Sequence, residues 1–223
     1  MARKNARSLW TSKLLSGGRA SGGGVGGGTG GGIAGGTGGT GGDAAGDAAA
    51  ALFGVRRAYC GRVLGIDPSL RGTGLAVVEF AGGGASPVLR ASRTLRINGR
   101  MALSECLGEI YKAVADLVED WRPRHVALEQ AIYVQNFRTA LTLGSARGAA
   151  IAAAAVLGLT VFEYPPLRVK QAVVGFGRAS KAQVSGMVSR LLGVAGALAF
   201  DEADAAGVAI CHGFTWREGT PAH

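Results

Sequence analysis

The sequence predicts a mixed α/β domain behind a glycine-rich extension, and three observations lead there. Short apolar runs and helical periodicities follow one another as three strands, a helix, a strand, a helix, a strand and then helices. The first three runs are joined by short turns, the mark of an antiparallel meander. The composition also changes abruptly near Tyr59: eighteen glycines lie between Gly17 and Gly46, whereas the alternation of apolar runs begins only at Arg62.

Val63-Leu64-Gly65-Ile66 reads as a buried strand ending at Asp67. Pro68 to Gly72 is a turn, Thr73 to Phe80 a second strand, Gly82-Gly83-Gly84 another turn, and Val88 to Ile97 a third strand. Leu103, Leu107, Ile110, Val114, Leu117 and Val118 recur at helical spacing, which predicts an amphipathic helix over 101–120, broken by Arg122-Pro123. His125 to Glu129 is a fourth strand, Thr139 to Leu157 an alanine-rich helix, and Thr160 to Glu163 a fifth strand stopped by Pro165-Pro166. Helices are expected at 167–174, 180–192 and 202–212. These elements make one domain over 58–216, followed by a short tail at 217–223.

Residues 1–16 are basic and free of acids, as in a transit peptide or a basic disordered arm. Residues 17–50 are a Gly/Ala/Thr tract that buries too little apolar surface to offset its ordering entropy, so 1–57 is expected to be a disordered extension or a presequence. The net charge is +9, with seven Lys/Arg and two Asp in residues 1–57 and the remaining surplus in the domain. Such a balance suits a polyanionic partner, and equally a solvated surface. Cys60, Cys106 and Cys211 are few, odd in number and widely spaced, which argues against a disulfide framework or a zinc site and suits a reducing compartment. No unbroken apolar run approaches the roughly 18 residues of a membrane span. The richest stretch, Gly148 to Leu159, reads as a buried helix. A cytoplasmic protein is expected, with organelle targeting by residues 1–57 as the alternative.

Four acidic residues at three places in the chain stand out by placement. Asp67 and Glu129 each end a buried strand, and Asp201 and Asp204 sit three apart on one face of the last helix. If the first and fourth strands are neighbours, Asp67 and Glu129 emerge side by side, and the last helix could complete a four-carboxylate cluster. Such a cluster repels itself by about 4 kcal/mol per close pair at an effective dielectric of 20, and divalent cations with all-oxygen preferences, Mg²⁺ above all, remove that penalty. Each acid also has a plainer reading. Asp67 could start a turn, Asp201 could cap a helix, Asp204 could favour the helix dipole, and Glu202 could be solvated. Gly72 and Gly74 read as turn glycines rather than a phosphate loop, because neither a Walker A nor a GxGxxG spacing is met.

Lys170 and Lys181 flank the Gly175–Gly177 turn and could hold phosphates, and Arg138 and Arg147 add to the basic residues of this half. Ile132, Tyr133 and Phe137 follow Glu129 and could insert between unstacked bases or pack on the next helix. His125 and His212 read as packing or surface residues, and His212 stands more than two turns from Asp204, too far to share its metal.

The stretches LGIDPSLRGTGLAV, ALEQAIYVQNFRTALTLGSARGAAIAAA, VFEYPPLRVKQAVVGFGRASKAQVSGMVSRLL and DEADAAGVAICH resemble, in order, the first hairpin, second acidic strand, lysine-bearing segment and final acidic helix of the RuvC-type Holliday-junction resolvases. The resemblance covers about residues 62–214. It implies an RNase H-like fold with a five-stranded mixed sheet flanked by helices, a homodimer, and paired incisions in a four-way DNA junction. It also implies Mg²⁺, two ions per site with Mn²⁺ able to substitute, and cooperation with the RuvA–RuvB branch-migration complex. By position Asp67, Glu129, Asp201 and Asp204 would be the catalytic metal ligands. Lys170, Lys181, Arg138, Arg147, Ile132 and Tyr133 would face DNA. The chain departs from the family in its extension, in Ile132 where an aromatic is frequent, and in Ala206-Gly207, whose glycine costs about 0.5–1 kcal/mol of helix stability. Two other classes compete: a junction-binding protein with weak or no nuclease activity, and an RNase H-fold nuclease acting on RNA. An actin-like kinase would need a second phosphate loop and a longer chain.

Overall fold

The computed structural model describes residues 58–82, 84–130, 136–218 and 222. Among these, the chain forms β1 (Gly61–Asp67), β2 (Gly72–Phe80), β3 (Val88–Arg96), α1 (Leu103–Trp121), β4 (His125–Glu129), α2 (Phe137–Val156), β5 (Thr160–Tyr164), α3 (Pro166–Val174), α4 (Lys181–Leu191) and α5 (Phe200–Thr215). The strand order is β3-β2-β1-β4-β5. The first three strands pair antiparallel, and β1–β4 and β4–β5 are parallel. The expected mixed sheet is therefore present, with β1 and β4 adjacent.

Strand parity divides the core into two layers, because successive side chains leave a strand on opposite faces. Val63, Ala76, Val78, Ala127, Phe162 and Tyr164 meet α3, α4 and α5 on one face. Leu64, Ile66, Leu75, Val77, Val126, Leu128 and Val161 meet α1 and α2 on the other. The same parity sends Asp67 and Glu129 toward α5, and Glu163 toward α2.

Local signals set the boundaries. The β1–β2 turn is closed by its own side chains: Thr73 Oγ1 donates to the Ser69 carbonyl at 2.5 Å, and Ser69 Oγ accepts from Gly72 N at 3.1 Å. Arg122, at φ 46°, ends α1 in the left-handed region, just before Pro123. Asn136 caps α2, accepting from Arg138 N at 2.8 Å, so this helix starts two residues earlier than the apolar pattern suggests. By length and composition alone α2 would suffice to cross a membrane. Its Ala146, Ala150, Ala153 and Ala154 pack into the core while Ala152, Ala155 and Val156 are exposed, so the stretch read from sequence as a buried helix is buried on one face only.

Two sequence expectations need correction here. Gly72 and Gly74 are strand residues of β2, and Gly74 pairs with Asp67. Glu202 is not merely solvated: its carboxylate accepts from Ser92 Oγ of β3 at 2.6 Å, tying the start of α5 to the sheet.

Candidate active site

Asp67 and Glu129 stand at the carboxyl ends of adjacent parallel strands, one residue beyond the register pair Ile66↔Leu128. That is where open α/β sheets place their ligands. Two glycines bring α5 over the same spot. A Cβ on Gly65 would lie 2.0 Å from the Ala205 carbonyl oxygen, and one on Gly74 would lie 1.9 Å from that of Asp201. The helix backbone thus rests directly on the strand backbone, a contact that any larger residue would prevent. This seating delivers Asp204 to the mouth of the sheet and Asp201 beside Gly72, whose Cβ position is 3.4 Å from the Asp201 Oδ2.

A cavity of about 230 Å³ opens there, lined by Asp67, Glu129 and Asp204, by Lys170 and Lys181, and by Val169 and Val184. Its electrostatics are those of crowded, partly dehydrated acids. Burial pushes the Asp67 carboxyl up to about 7, and the charges of Asp204, Glu129 and Asp201 add to the rise. Glu129 is raised by burial and then by Asp204, opposed by Lys181 and Lys170. Asp204 is raised by burial and held back chiefly by Lys181, whose ammonium lies 3.6 Å from its Oδ2.

An all-oxygen donor set of uncompensated charge fits a hard divalent cation such as Mg²⁺ or Mn²⁺ and does not fit a soft metal. Among the described residues, no three such side chains converge on one point at ligand distance. The acids share a cleft without closing on a centre, and the Lys181 ammonium serves as countercharge to Asp204.

The other expected residues divide. Lys170 and Lys181 line the cavity, as the sequence suggested. Arg138 is exposed beside a second, shallow cavity of about 370 Å³, next to Ser69 and Leu70 of the β1–β2 turn. Arg147 turns inward: one guanidinium nitrogen donates to the Glu129 carbonyl at 2.6 Å and the other pairs with Glu163 at 2.5 Å. Its expected place on the DNA-facing surface is therefore corrected. Ile132 and Tyr133 lie outside the described residues, while Phe137, the first residue of α2, is 82% exposed and does not pack on its helix.

Sequence reasoning missed the partner of Gly65 and Gly74, because α5 lies far downstream and only a glycine inside an apolar strand hinted at close approach. It also missed a buried pair behind the site. His125 Nδ1 and His212 Nε2 are 2.9 Å apart, and His212 Nδ1 is 2.7 Å from the Tyr164 hydroxyl. Burial lowers these imidazoles to about 4 and about 3, so both rings are neutral and serve packing, not ligation.

A five-stranded sheet in this order, with acids from two parallel neighbours and a helix crossing above them, defines the RNase H-like class of metal-dependent nucleases. The family described as crossover junction endodeoxyribonuclease RuvC matches residues 63–212. The RuvC endonuclease of Cupriavidus metallidurans is 47% identical over 151 residues, 68% of this chain and 82% of the relative. That of Halorhodospira halophila is 46% identical, again over 68% of this chain and 89% of the relative. Thermus thermophilus RuvC, solved in complex with a Holliday junction substrate, superposes with a TM-score of 0.67 at 34% identity, covering 72% of this chain and 97% of that one. The chain belongs to the RuvC family of crossover junction endodeoxyribonucleases.

Proposed function

We propose that this chain resolves four-way DNA junctions by paired, metal-dependent hydrolytic incisions during homologous recombination and repair. The observation that carries the reading is the single cleft holding Asp67, Glu129 and Asp204 with Lys170 and Lys181, with Asp201 at its edge. Asp67, Glu129, Asp201 and Asp204 would hold two Mg²⁺ ions, with Mn²⁺ as substitute. Bound there, the cations supply charge neutralisation at phosphorus and a lowered water pKa for in-line displacement.

The protein's own groups do the rest. The strand ends hold Asp67 and Glu129 rigidly, while the glycine-seated helix brings Asp204 to meet them. Lys181, exposed and only loosely paired with Asp204, would be free to hold a junction phosphate. Lys170 holds a second phosphate oxygen, and Val169 and Val184 keep one wall of the cleft dry. Arg138, on the exposed start of α2, adds a backbone phosphate contact, and Ile132 or Tyr133 meets the bases at the crossover. A homodimer sets two such clefts on one two-fold substrate, in cooperation with a RuvA–RuvB type branch-migration complex in the cytoplasm. Residues 58–216 form the resolvase domain, with 1–57 as an appended arm and 217–223 as a tail.

The test is a synthetic four-way junction with Mg²⁺. Symmetric nicks leaving 5′-phosphates are expected, and Asp67→Asn lowers the rate at least about 100-fold while band shifts in EDTA persist. Uncut junctions with wild-type protein, or an active Asp67→Asn variant, would refute the reading. Preferential cutting of an RNA–DNA hybrid in competition would transfer it to RNA.

A further inference from the structure

Arg147 is largely buried near the cleft, with 14% of its side chain exposed against 79% for Lys181. It projects from α2 onto the face of the sheet opposite α5. Glu163, on β5, points to that same face by strand parity. The guanidinium is thus held by Glu163 and donates to the main-chain carbonyl of Glu129 at 2.6 Å. That carbonyl lies one residue beyond the last β1–β4 pair, Ile66↔Leu128, where the sheet loses one of its neighbours. On the other side the next amide, Gln130 N, donates to Tyr164 O at 2.8 Å. The backbone carrying the Glu129 carboxylate is therefore clamped from both flanks at the point where strand pairing ends.

We propose that Arg147, fixed by Glu163, is a positioning residue that sets the backbone at Glu129 and hence the aim of its carboxylate into the cation site. The proposal rests on the reading of Glu129 as a metal ligand. It assigns Arg147 an inward role in place of a phosphate contact, since one terminal nitrogen donates to the Glu129 carbonyl and the other lies in ion-pair contact with the Glu163 carboxylate, where it has no hydrogen-bond partner among the described residues. The guanidinium donates to the Glu129 main-chain carbonyl, so Arg147 acts on the backbone that carries the carboxylate. Lysine does not fully replace it, because a single ammonium cannot reach the Glu129 carbonyl and the Glu163 carboxylate at once as the two arms of the guanidinium do.

The experiment uses the full chain as wild type, Arg147→Met, Arg147→Lys, Glu163→Gln and Asp67→Asn. Three quantities are measured: junction affinity in EDTA, Mn²⁺ affinity by calorimetry without DNA, and the Mg²⁺ midpoint of cleavage. Arg147→Met is expected to bind the junction within about twofold of wild type, to bind Mn²⁺ about tenfold more weakly, and to recover cleavage at raised Mg²⁺. Arg147→Lys and Glu163→Gln shift the same two metal readouts by a smaller factor. A fall in junction affinity with a shallower salt dependence and an unchanged Mn²⁺ affinity would make Arg147 a phosphate contact and overturn the proposal. Unchanged Mn²⁺ affinity in all three variants overturns it too. If Arg147→Met does not fold, wild-type metal affinity in both Arg147→Lys and Glu163→Gln is enough to overturn it. Failure of the underlying reading looks different: wild type and Asp67→Asn would then bind Mn²⁺ equally.

Discussion

Replacing Asp67 by Asn removes one charge from the crowded cleft while keeping its shape, and the direction of the resulting stability change is fixed by the surroundings. The carboxyl rises from its ordinary 3.8 to about 7 in the fold, through burial first and then through Asp204, Glu129 and Asp201. A carboxyl raised in the folded state holds its proton there while the unfolded chain has released it. Between the two values the native state binds more protons, so stability falls as pH rises from about 4 to about 7. At 1.36 kcal/mol per pKa unit the full cost at pH 8 has a ceiling of about 4 kcal/mol. Asn remains a buried polar group and returns about half of that, about 2 kcal/mol, or about 4–8 °C of Tm for a domain of this size. Thermal melts in EDTA at fixed protein concentration test this. Asp67→Asn melts above wild type at pH 8, and the gap closes toward pH 4. Adding millimolar Mg²⁺ stabilises wild type more than the variant, because cations bind the folded acids and relieve the repulsion. A variant that melts below wild type at pH 8 in EDTA, or a gap that ignores pH, would refute the electrostatic account of the cleft.

Three further perturbations follow from the packing. Gly65→Ala forces a methyl against the Ala205 carbonyl, displacing α5 at a cost of about 1–3 kcal/mol; cleavage at saturating junction should fall more than junction affinity in EDTA, and equal falls would deny that the glycine aims the helix. Gly207→Ala should stabilise by about 0.5–1 kcal/mol, since its Cβ would meet Val188, Val169 and Val173 at 3.6–3.9 Å, an ordinary contact; a lowered Tm would show that the space is not there. His212 and His125 are neutral in the fold and charge in the unfolded chain below about 6.5, so their contribution is present above that pH and is lost on acidification. His212→Gln should therefore be less stable than wild type at pH 8 and close that deficit by about 2 kcal/mol at pH 5, read from urea melts; a deficit constant with pH would mean the ring is already charged when folded.

Much of the site was legible because parity and periodicity carry it. LGID and VALE each end an apolar run in an acid, and counting back by twos puts Asp67 with Val63 and Gly65, and Glu129 with His125 and Ala127, on one face. The helical spacing of Asp201 and Asp204 was equally plain. What could not be read is which distant backbone meets which. Gly65 inside an apolar strand signals a close approach, but nothing local says that Ala205, on the last helix, is the visitor. Arg147 looked like its exposed basic neighbours because its partner Glu163 is acidic in sequence and inward only by the register of β5. Glu202 looked solvated for the same reason, since Ser92 lies far upstream on β3, across most of the domain's sequence. Such contacts are properties of the assembled layers, and single-segment patterns do not contain them.

The fold tolerates the acids for a reason that can be sized. On α5, Val208, Ile210 and the alanines at 203, 205, 206 and 209 are fully buried. The two branched side chains contribute about 1.5–3 kcal/mol each, and the four alanine methyls about 0.8 kcal/mol each, giving roughly 6–9 kcal/mol of burial. The largest single electrostatic penalty in the cleft is about 4 kcal/mol. The gross apolar burial on α5 is therefore larger than the single penalty at Asp67. Glycine at 65 and 74 makes this possible, because backbone-to-backbone contact lets a helix of mostly small residues reach the sheet at all. The cost at Asp67 comes from burial first and from the neighbouring carboxylates second. A divalent cation bound among these carboxylates would relieve both, and the strand ends and the glycine-seated helix already hold the backbone that carries them.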